Sequence, residues 1–147
     1  MRSFVSEASP VNQADLRLLA DERIKDAKAL LAGQRWSFAY YTTGYAVECA
    51  LKSCVLARMV HTGLVFEAKV PNLLTHDFAK LIEFAGLKIE LDAKQATAPA
   101  FKSYWLIAPQ WHVETRYTTK LQTDAEALYE AVTHDPEGVL PWLRTYW

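Results

Sequence analysis

Apolar residues recur at intervals of three and four along most of the chain, which is the spacing of one helix face rather than of a strand. The first such stretch begins at Ser9-Pro10 or at Asn12, which both carry helix-start signals, and it ends at Gly33. Its apolar face is interrupted by Arg23 and otherwise consists of Leu16, Leu19, Ala20, Ile24, Ala27, Leu30 and Leu31. This pattern predicts a long amphipathic helix with one side on a core.

The second stretch, from about Trp36 to His61, is apolar nearly all round. Up to Ala57 it carries only two charges, Glu48 and Lys52. A helix of this kind is predicted to lie centrally, contacted on several sides. Gly44 lowers its helix propensity by about 1 kcal/mol, which indicates either a close helix–helix crossing or a tolerated glycine.

Shorter helical segments follow, separated by glycine and proline. In chain order the sequence predicts a connector over 63–74, a short helix from Thr75 or His76 to Gly86, a broken helix over 92–109, a helix opened by a capping box over 123–126, and a last segment after Asp135-Pro136. No segment favours a strand. We therefore predict one all-α domain over residues 1–147, an antiparallel up-and-down bundle of four to six helices, with residues 1–10 as a flexible N-terminus.

Composition narrows the class of protein. The formal net charge is -1, which argues against a polybasic nucleic-acid binder held by bulk electrostatics but leaves room for a local basic pocket. Apolar runs are too short for a membrane span, and the N-terminus has no secretory pattern. Cys49 and Cys54 lie five residues apart on one predicted helix, so a mutual disulfide is implausible and free buried thiols are expected. Together these features predict a cytoplasmic protein.

The pair Glu48 and Lys52 is the first candidate for chemistry. At i,i+4 these residues form a favourable helical ion pair, worth roughly 0.2–0.5 kcal/mol when exposed. One interpretation is therefore a narrow solvated strip on a mostly buried helix. The other is a buried or dimer-interface carboxylate held by a distant cation, since an unpaired buried charge costs several kcal/mol. Arg116 is the best distant candidate for that cation.

The second candidate is the segment "WHVETRY", residues 111–117. On a helix, His112 and Arg116 would share a face, where they could bind phosphate and transfer a proton. The alternative is an arginine that anchors a loop while the flanking aromatic residues pack. Pro109, just upstream, leaves the local geometry open.

The remaining histidines do not indicate a metal site. His61, His76 and His134 show neither the H-x3-H nor the C-x2-C spacing of zinc ligands. His76 precedes Asp77 at a predicted helix start, where a capping role is the ordinary expectation. Neither a metal nor a cofactor is predicted.

Three segments together are similar to a known family. "YYTTGYAVECALKS" (40–53), "HDFAKLIEFAGL" (76–87) and "WHVETRY" (111–117) occur in an order that resembles the HEPN domain, the nucleotide-binding domain of higher eukaryotes and prokaryotes. The resemblance covers roughly residues 15–132. It implies an up-and-down helical bundle that is often a homodimer, with roles in nucleotide binding, in pairing with a nucleotidyltransferase in toxin–antitoxin systems, and in metal-independent RNA cleavage.

The chain departs from the family at the ribonuclease motif, an arginine followed after four to six residues by a histidine. The positions that would hold this histidine after Arg116 are Leu121, Gln122 and Thr123. His112 precedes Arg116, and no other arginine–histidine pair has the spacing. The usual chemistry, with histidine as general base and arginine stabilising the phosphorane-like charge, therefore lacks its residue pair.

These observations lead to three hypotheses. The first is a HEPN-like binding module for a nucleotide, RNA phosphate or a nucleotidyltransferase partner, with a groove lined by Tyr45, Glu48, Lys52, Arg116 and Tyr117. The second is an atypical metal-independent ribonuclease that uses Arg116 with His112 or His76. The third is a dimeric scaffold in which a Glu48–Arg116 contact is purely structural.

Overall fold

Every regular element in the computed structural model, which describes residues 11–61 and 73–147, is helical. The helices are α1 (Gln13–Ala32), α2 (Trp36–His61), α3 (Phe78–Phe84), α4 (Lys88–Thr97), α5 (Pro99–Ile107), α6 (Gln122–Thr133) and α7 (Val139–Leu143). Two 3₁₀ helices, Ala108–Gln110 and Val113–Tyr117, lie between α5 and α6. The all-α prediction is confirmed. Residues 1–10 and most of the predicted connector lie outside the described residues.

The described residues form seven α-helices, one more than the upper end of the predicted range. The difference arises because the helix predicted to be broken is two separate helices. α4 ends at Thr97, and Pro99 opens α5 at its first position, where its missing N–H has no helical partner in any case.

α1 begins at the second of its two predicted starts. The side chain of Asn12 accepts a hydrogen bond from the Asp15 N–H at 2.9 Å, and Asp15 accepts one from the Asn12 N–H at 3.1 Å. The helix ends at Gly33 as predicted, but the left-handed residue is its neighbour Gln34, with φ 59°. That conformation lets the Arg35 N–H reach the Leu30 carbonyl at 2.8 Å.

α2 is the central helix of the fold, as predicted. It packs against α1, α3, α6, α7 and the second 3₁₀ helix, and most of its side chains are buried. Three residues join α1 to α2, so these two helices form an antiparallel hairpin. The other helices cover the remaining sides of α2, which places one core around it.

Gly44 of α2 marks a close approach, although not the helix–helix crossing considered above. The indole of Trp111 lies against the α2 backbone at this point, so that a Cβ added to Gly44 would lie 2.2 Å from the Trp111 Cδ1. The same indole stacks on Phe78 with a centroid distance of 5.3 Å and contacts Tyr41 at 5.8 Å. Only a glycine fits under Trp111 here.

α6 begins one residue before the predicted capping box. The N–H of Leu121 donates to the Asp124 carboxylate at 3.0 Å, and the helix runs from Gln122. Thr123 therefore lies inside the first turn, so the prediction that it caps the helix is wrong. The first-turn carboxylate that satisfies an N-terminal N–H comes from Asp124 instead.

The last residues of the chain are fixed to the α1–α2 hairpin. The main-chain oxygen of Trp147 accepts hydrogen bonds from Arg17 Nε at 2.7 Å, from Ser53 Oγ at 2.9 Å and from the Gln13 side-chain amide. α1, α2 and the segment after α7 are therefore held together by polar contacts as well as by core packing.

Candidate functional site

A cavity of about 560 Å³ lies along the seam between α1 and α2. α1 lines it with Arg23, Asp26 and Leu30, and the turn between the two helices adds Arg35. The α2 wall is mainly aromatic and is formed by Phe38, Tyr41, Thr42 and Tyr45. The cavity thus combines guanidinium groups on one side with aromatic rings on the other.

The rings of Phe38, Tyr41 and Tyr45 form a stack along α2, which we call the aromatic ladder. Their spacing of three and four residues places them on one face of the helix. The first two centroids are 5.8 Å apart with planes at 25°, and the next two are 6.2 Å apart with planes at 7°. Phe38 is 56% exposed, so the end of the ladder offers an open aromatic face to a planar ligand.

The cations beside the aromatic ladder come from three parts of the chain. Arg23 Nε lies 2.9 Å from the Asp26 carboxylate, and Arg35 is exposed without an ion pair among the described residues. Arg116 is exposed too, and its guanidinium lies over the Tyr117 ring at 5.0 Å. Hydrogen bonds to the hydroxyls of Tyr117 and then Tyr41 raise the pKa of Arg116, so this cation lies beside the middle ring of the ladder.

Glu48 is buried and has two partners. Its side chain is 5% exposed; one oxygen lies 3.0 Å from Lys52 Nζ and the other 2.8 Å from His76 Nδ1. The buried alternative considered above is therefore correct, but the distant partner is His76 and not Arg116. The predicted Glu48–Arg116 pairing is wrong because residues 113–117 form a 3₁₀ helix that buries Thr115 and turns Arg116 toward Tyr41 and Tyr117.

His76 reaches Glu48 because Asp77 caps α3 in its place. The Asp77 side chain accepts from the Lys80 N–H at 3.2 Å, so the predicted capping role belongs to the neighbour of His76. The imidazole is 46% exposed and is held through Nδ1, which leaves Nε2 able to exchange a proton with solvent or a ligand. A carboxylate that orients a partly exposed imidazole is the arrangement of a general acid–base pair.

The buried cysteines take no part in this chemistry. Both are free, and burial raises the pKa of Cys49 to about 11 and that of Cys54 to about 12. Burial, followed by the nearby Cys49 and Glu48, also raises the pKa of the Tyr45 hydroxyl. These groups remain neutral near pH 7, and the free buried thiols agree with the prediction from the sequence.

The structure brings together only some of the residues predicted for the site. Tyr45, Glu48 and Lys52 line one side of α2, while Arg116 lies near Tyr41 of the aromatic ladder and over the Tyr117 ring instead of at Glu48. His112 is exposed and has extended backbone, so the helical face that it was predicted to share with Arg116 does not form.

The sequence pattern did not indicate several of the charged and aromatic residues that line the cavity. Asp26, Arg35 and Phe38 belong to no motif and were not singled out. The one available signal was Arg23, since it interrupts an otherwise apolar helix face and is here found to line the cavity.

Within the described part of the chain, no group of three or more histidine, cysteine or acidic side chains could hold a metal ion. The helices in residues 11–61 and 73–147 include none that combines the length and the apolar character needed to cross a membrane. Comparison with protein-family models, with curated proteins and with solved structures finds no match.

Proposed function

We propose that this protein binds a nucleotide or the phosphate of RNA in the α1–α2 cavity, as a binding module that lacks the usual arginine–histidine pair of a ribonuclease. The observation that carries the proposal is that the guanidinium groups of Arg23 and Arg35 line the cavity together with the aromatic ladder. A third guanidinium, that of Arg116, lies near Tyr41, the middle ring of the ladder. The resemblance to the HEPN domain supports the same ligand class.

The two halves of such a ligand match the two walls of the cavity. Guanidinium groups bind phosphate through parallel N–H···O bonds, and Arg35 is free to do so because it has no ion pair among the described residues. A nucleobase stacks on exposed aromatic rings with little dependence on sequence, and Phe38 presents such a ring. A cavity of about 560 Å³ is within the range of small-molecule sites.

The test is isothermal titration calorimetry with ADP and with short single-stranded RNA. Arg35→Ala should weaken binding because it removes a phosphate donor, and Phe38→Ala should weaken it because it removes the stacking surface, worth about 1–3 kcal/mol per base. Lys28→Ala is the matched control, because Lys28 is an exposed α1 cation outside the cavity lining. No binding by the wild type, or equal losses in all three variants, would refute the proposal.

The Glu48–His76 contact favours one further candidate function, a metal-independent ribonuclease based on His76. In this scheme His76 Nε2 accepts the proton of the RNA 2′-hydroxyl, whose oxygen attacks the adjacent phosphorus while the bond to the 5′-oxygen breaks. The products are a 2′,3′-cyclic phosphate and a 5′-hydroxyl, whose oxygen takes its proton from water. Glu48 holds the imidazole through Nδ1 at 2.8 Å. This contact favours His76 over His112, for which no such carboxylate is found among the described residues.

Incubation of mixed RNA with the protein in EDTA tests the second candidate. Cleavage should be lost in His76→Ala and kept in His112→Ala. No cleavage by the wild type, or equal cleavage by both variants, would refute the ribonuclease candidate but would leave the binding proposal unaffected.

A further inference from the structure

The α1–α2 cavity contains one carboxylate, and only one of its two oxygens is paired with a cationic side chain of the cavity. Asp26 is the one acidic residue among the described residues that line it. Its side chain is 56% exposed, and one of its oxygens lies 2.9 Å from Arg23 Nε. Its second oxygen has no ion-pair or hydrogen-bond partner in residues 11–61 and 73–147, so it can accept hydrogen bonds from a ligand.

A carboxylate at this position affects different phosphate ligands in opposite ways. It repels any anion that enters beside Arg23 and Arg35, and so lowers the affinity for a bare inorganic phosphate. A nucleotide carries the same phosphate charge but also has hydrogen-bond donors on its ribose and, in many cases, on its base. These donors can satisfy the carboxylate, and such charge-assisted bonds are about twice as strong as neutral ones.

We propose that Asp26 is a specificity residue that makes the cavity select nucleoside phosphates over inorganic phosphates of the same charge. The inference rests on the proposed nucleotide-binding function and deepens it. Arg23 and Arg35 supply the attraction for phosphate, and the aromatic ladder supplies the base platform. Asp26 lowers the affinity for a ligand that carries the phosphate but has no hydroxyl or amino group to donate a hydrogen bond.

α1 offers a close control for the simpler view that Asp26 only forms a helical ion pair. Glu22 and Lys25 form the same kind of pair, also three residues apart and also at 2.9 Å, but neither residue lines the cavity. Asp26→Asn and Glu22→Gln therefore remove one negative charge each from neighbouring positions of one helix. Only the first should change ligand selectivity.

The experiment measures the dissociation constants of ADP and pyrophosphate by calorimetry for the wild type and both variants. These ligands share a diphosphate and differ by the nucleoside. The wild type should prefer ADP, and Asp26→Asn should reduce that preference about five- to tenfold, with pyrophosphate binding more tightly than to the wild type. Glu22→Gln should leave the preference unchanged, and melting temperatures verify that both variants fold.

The outcomes separate the two proposals. If the wild type binds neither ligand, the proposed function fails and this inference fails with it. If ADP binds but Asp26→Asn leaves the ADP-to-pyrophosphate ratio as it is, or shifts it no more than Glu22→Gln does, only the role of Asp26 is overturned.

Discussion

Replacing Gly44 with alanine should destabilise the protein even though it improves the helix propensity of α2. Propensity alone predicts a gain of about 1 kcal/mol in the free energy of unfolding. However, the added Cβ would lie 2.2 Å from Trp111 Cδ1 and 2.3 Å from its Cγ. Carbon atoms in contact normally lie about 3.5–4.0 Å apart, so the indole or the α2 backbone must move by more than about 1 Å.

The surroundings of Trp111 leave the indole no room to make that movement. It is 2% exposed, stacked on Phe78 at 5.3 Å and in contact with Tyr41 at 5.8 Å. Loss of a buried tryptophan from a core costs about 3–5 kcal/mol. After the propensity gain is subtracted, Gly44→Ala should lower the free energy of unfolding by about 2–4 kcal/mol.

Urea unfolding of single and double variants tests this reasoning. Gly33→Ala is the control, because its Cβ would find no heavy atom nearer than 3.5 Å, at an ordinary φ of -87°. It should leave stability unchanged or raise it by up to about 1 kcal/mol. In a Trp111→Ala background, Gly44→Ala should also become mildly stabilising. The reasoning would be refuted if Gly44→Ala were as stable as the wild type. It would also be refuted if Gly44→Ala lowered the free energy of unfolding by as much in the Trp111→Ala background as in the wild type.

Three further predictions concern single positions. Gln34→Gly should raise the free energy of unfolding by about 1 kcal/mol, because Gln34 has φ 59° and a glycine adopts this conformation without steric cost; an unchanged urea midpoint would contradict it. The native pKa values of Cys49 and Cys54, about 11 and about 12, exceed the ordinary value of 9.0, so the unfolded thiols lose their protons first. The contribution of these two thiols to the free energy of unfolding is fully present below pH 9 and is lost as the pH rises toward 11–12. Stability should thus fall by about 1 kcal/mol per thiol between pH 8 and 10, and replacement of both cysteines by alanine should flatten that part of the pH profile. Finally, His76→Ala and Glu48→Gln should each cost about 1–3 kcal/mol in urea unfolding, and the double variant should cost less than the sum; additive losses would show that the two side chains are not coupled.

Some features that depend on a few neighbouring residues could be predicted from the sequence, although the capping box at Thr123 was not one of them. The cap at Asn12, which was one of two predicted starts, the stop at Gly86 after α3 and the break at Pro99 are local, because their hydrogen bonds and φ angles involve residues within one turn. The central position of α2 was predictable for a related reason, since a helix that is apolar all round must be covered on several sides.

Pairings across the fold could not be predicted in this way. Glu48 and His76 are 28 residues apart, and their contact depends on where α3 is placed beside α2. Arg116 was the wrong partner because the backbone of residues 113–117 is a 3₁₀ helix, which the sequence pattern did not distinguish from an α-helix or a loop. The sequence indicated that Glu48, if buried, needs a polar partner, because an unpaired buried charge is too costly, but it did not show that the distant partner is His76.

Trp111 connects the two parts of the candidate site. The indole contacts Tyr41, the middle ring of the aromatic ladder, and stacks on Phe78 at the start of α3. His76, which contacts Glu48, lies two residues before Phe78. The indole therefore packs against both the ladder and the segment that carries His76. Packed groups of this kind move together, because interiors at crystal-like density do not deform independently at neighbouring points. We therefore expect Gly44→Ala, a change under Trp111, to disturb both the cavity and the Glu48–His76 pair.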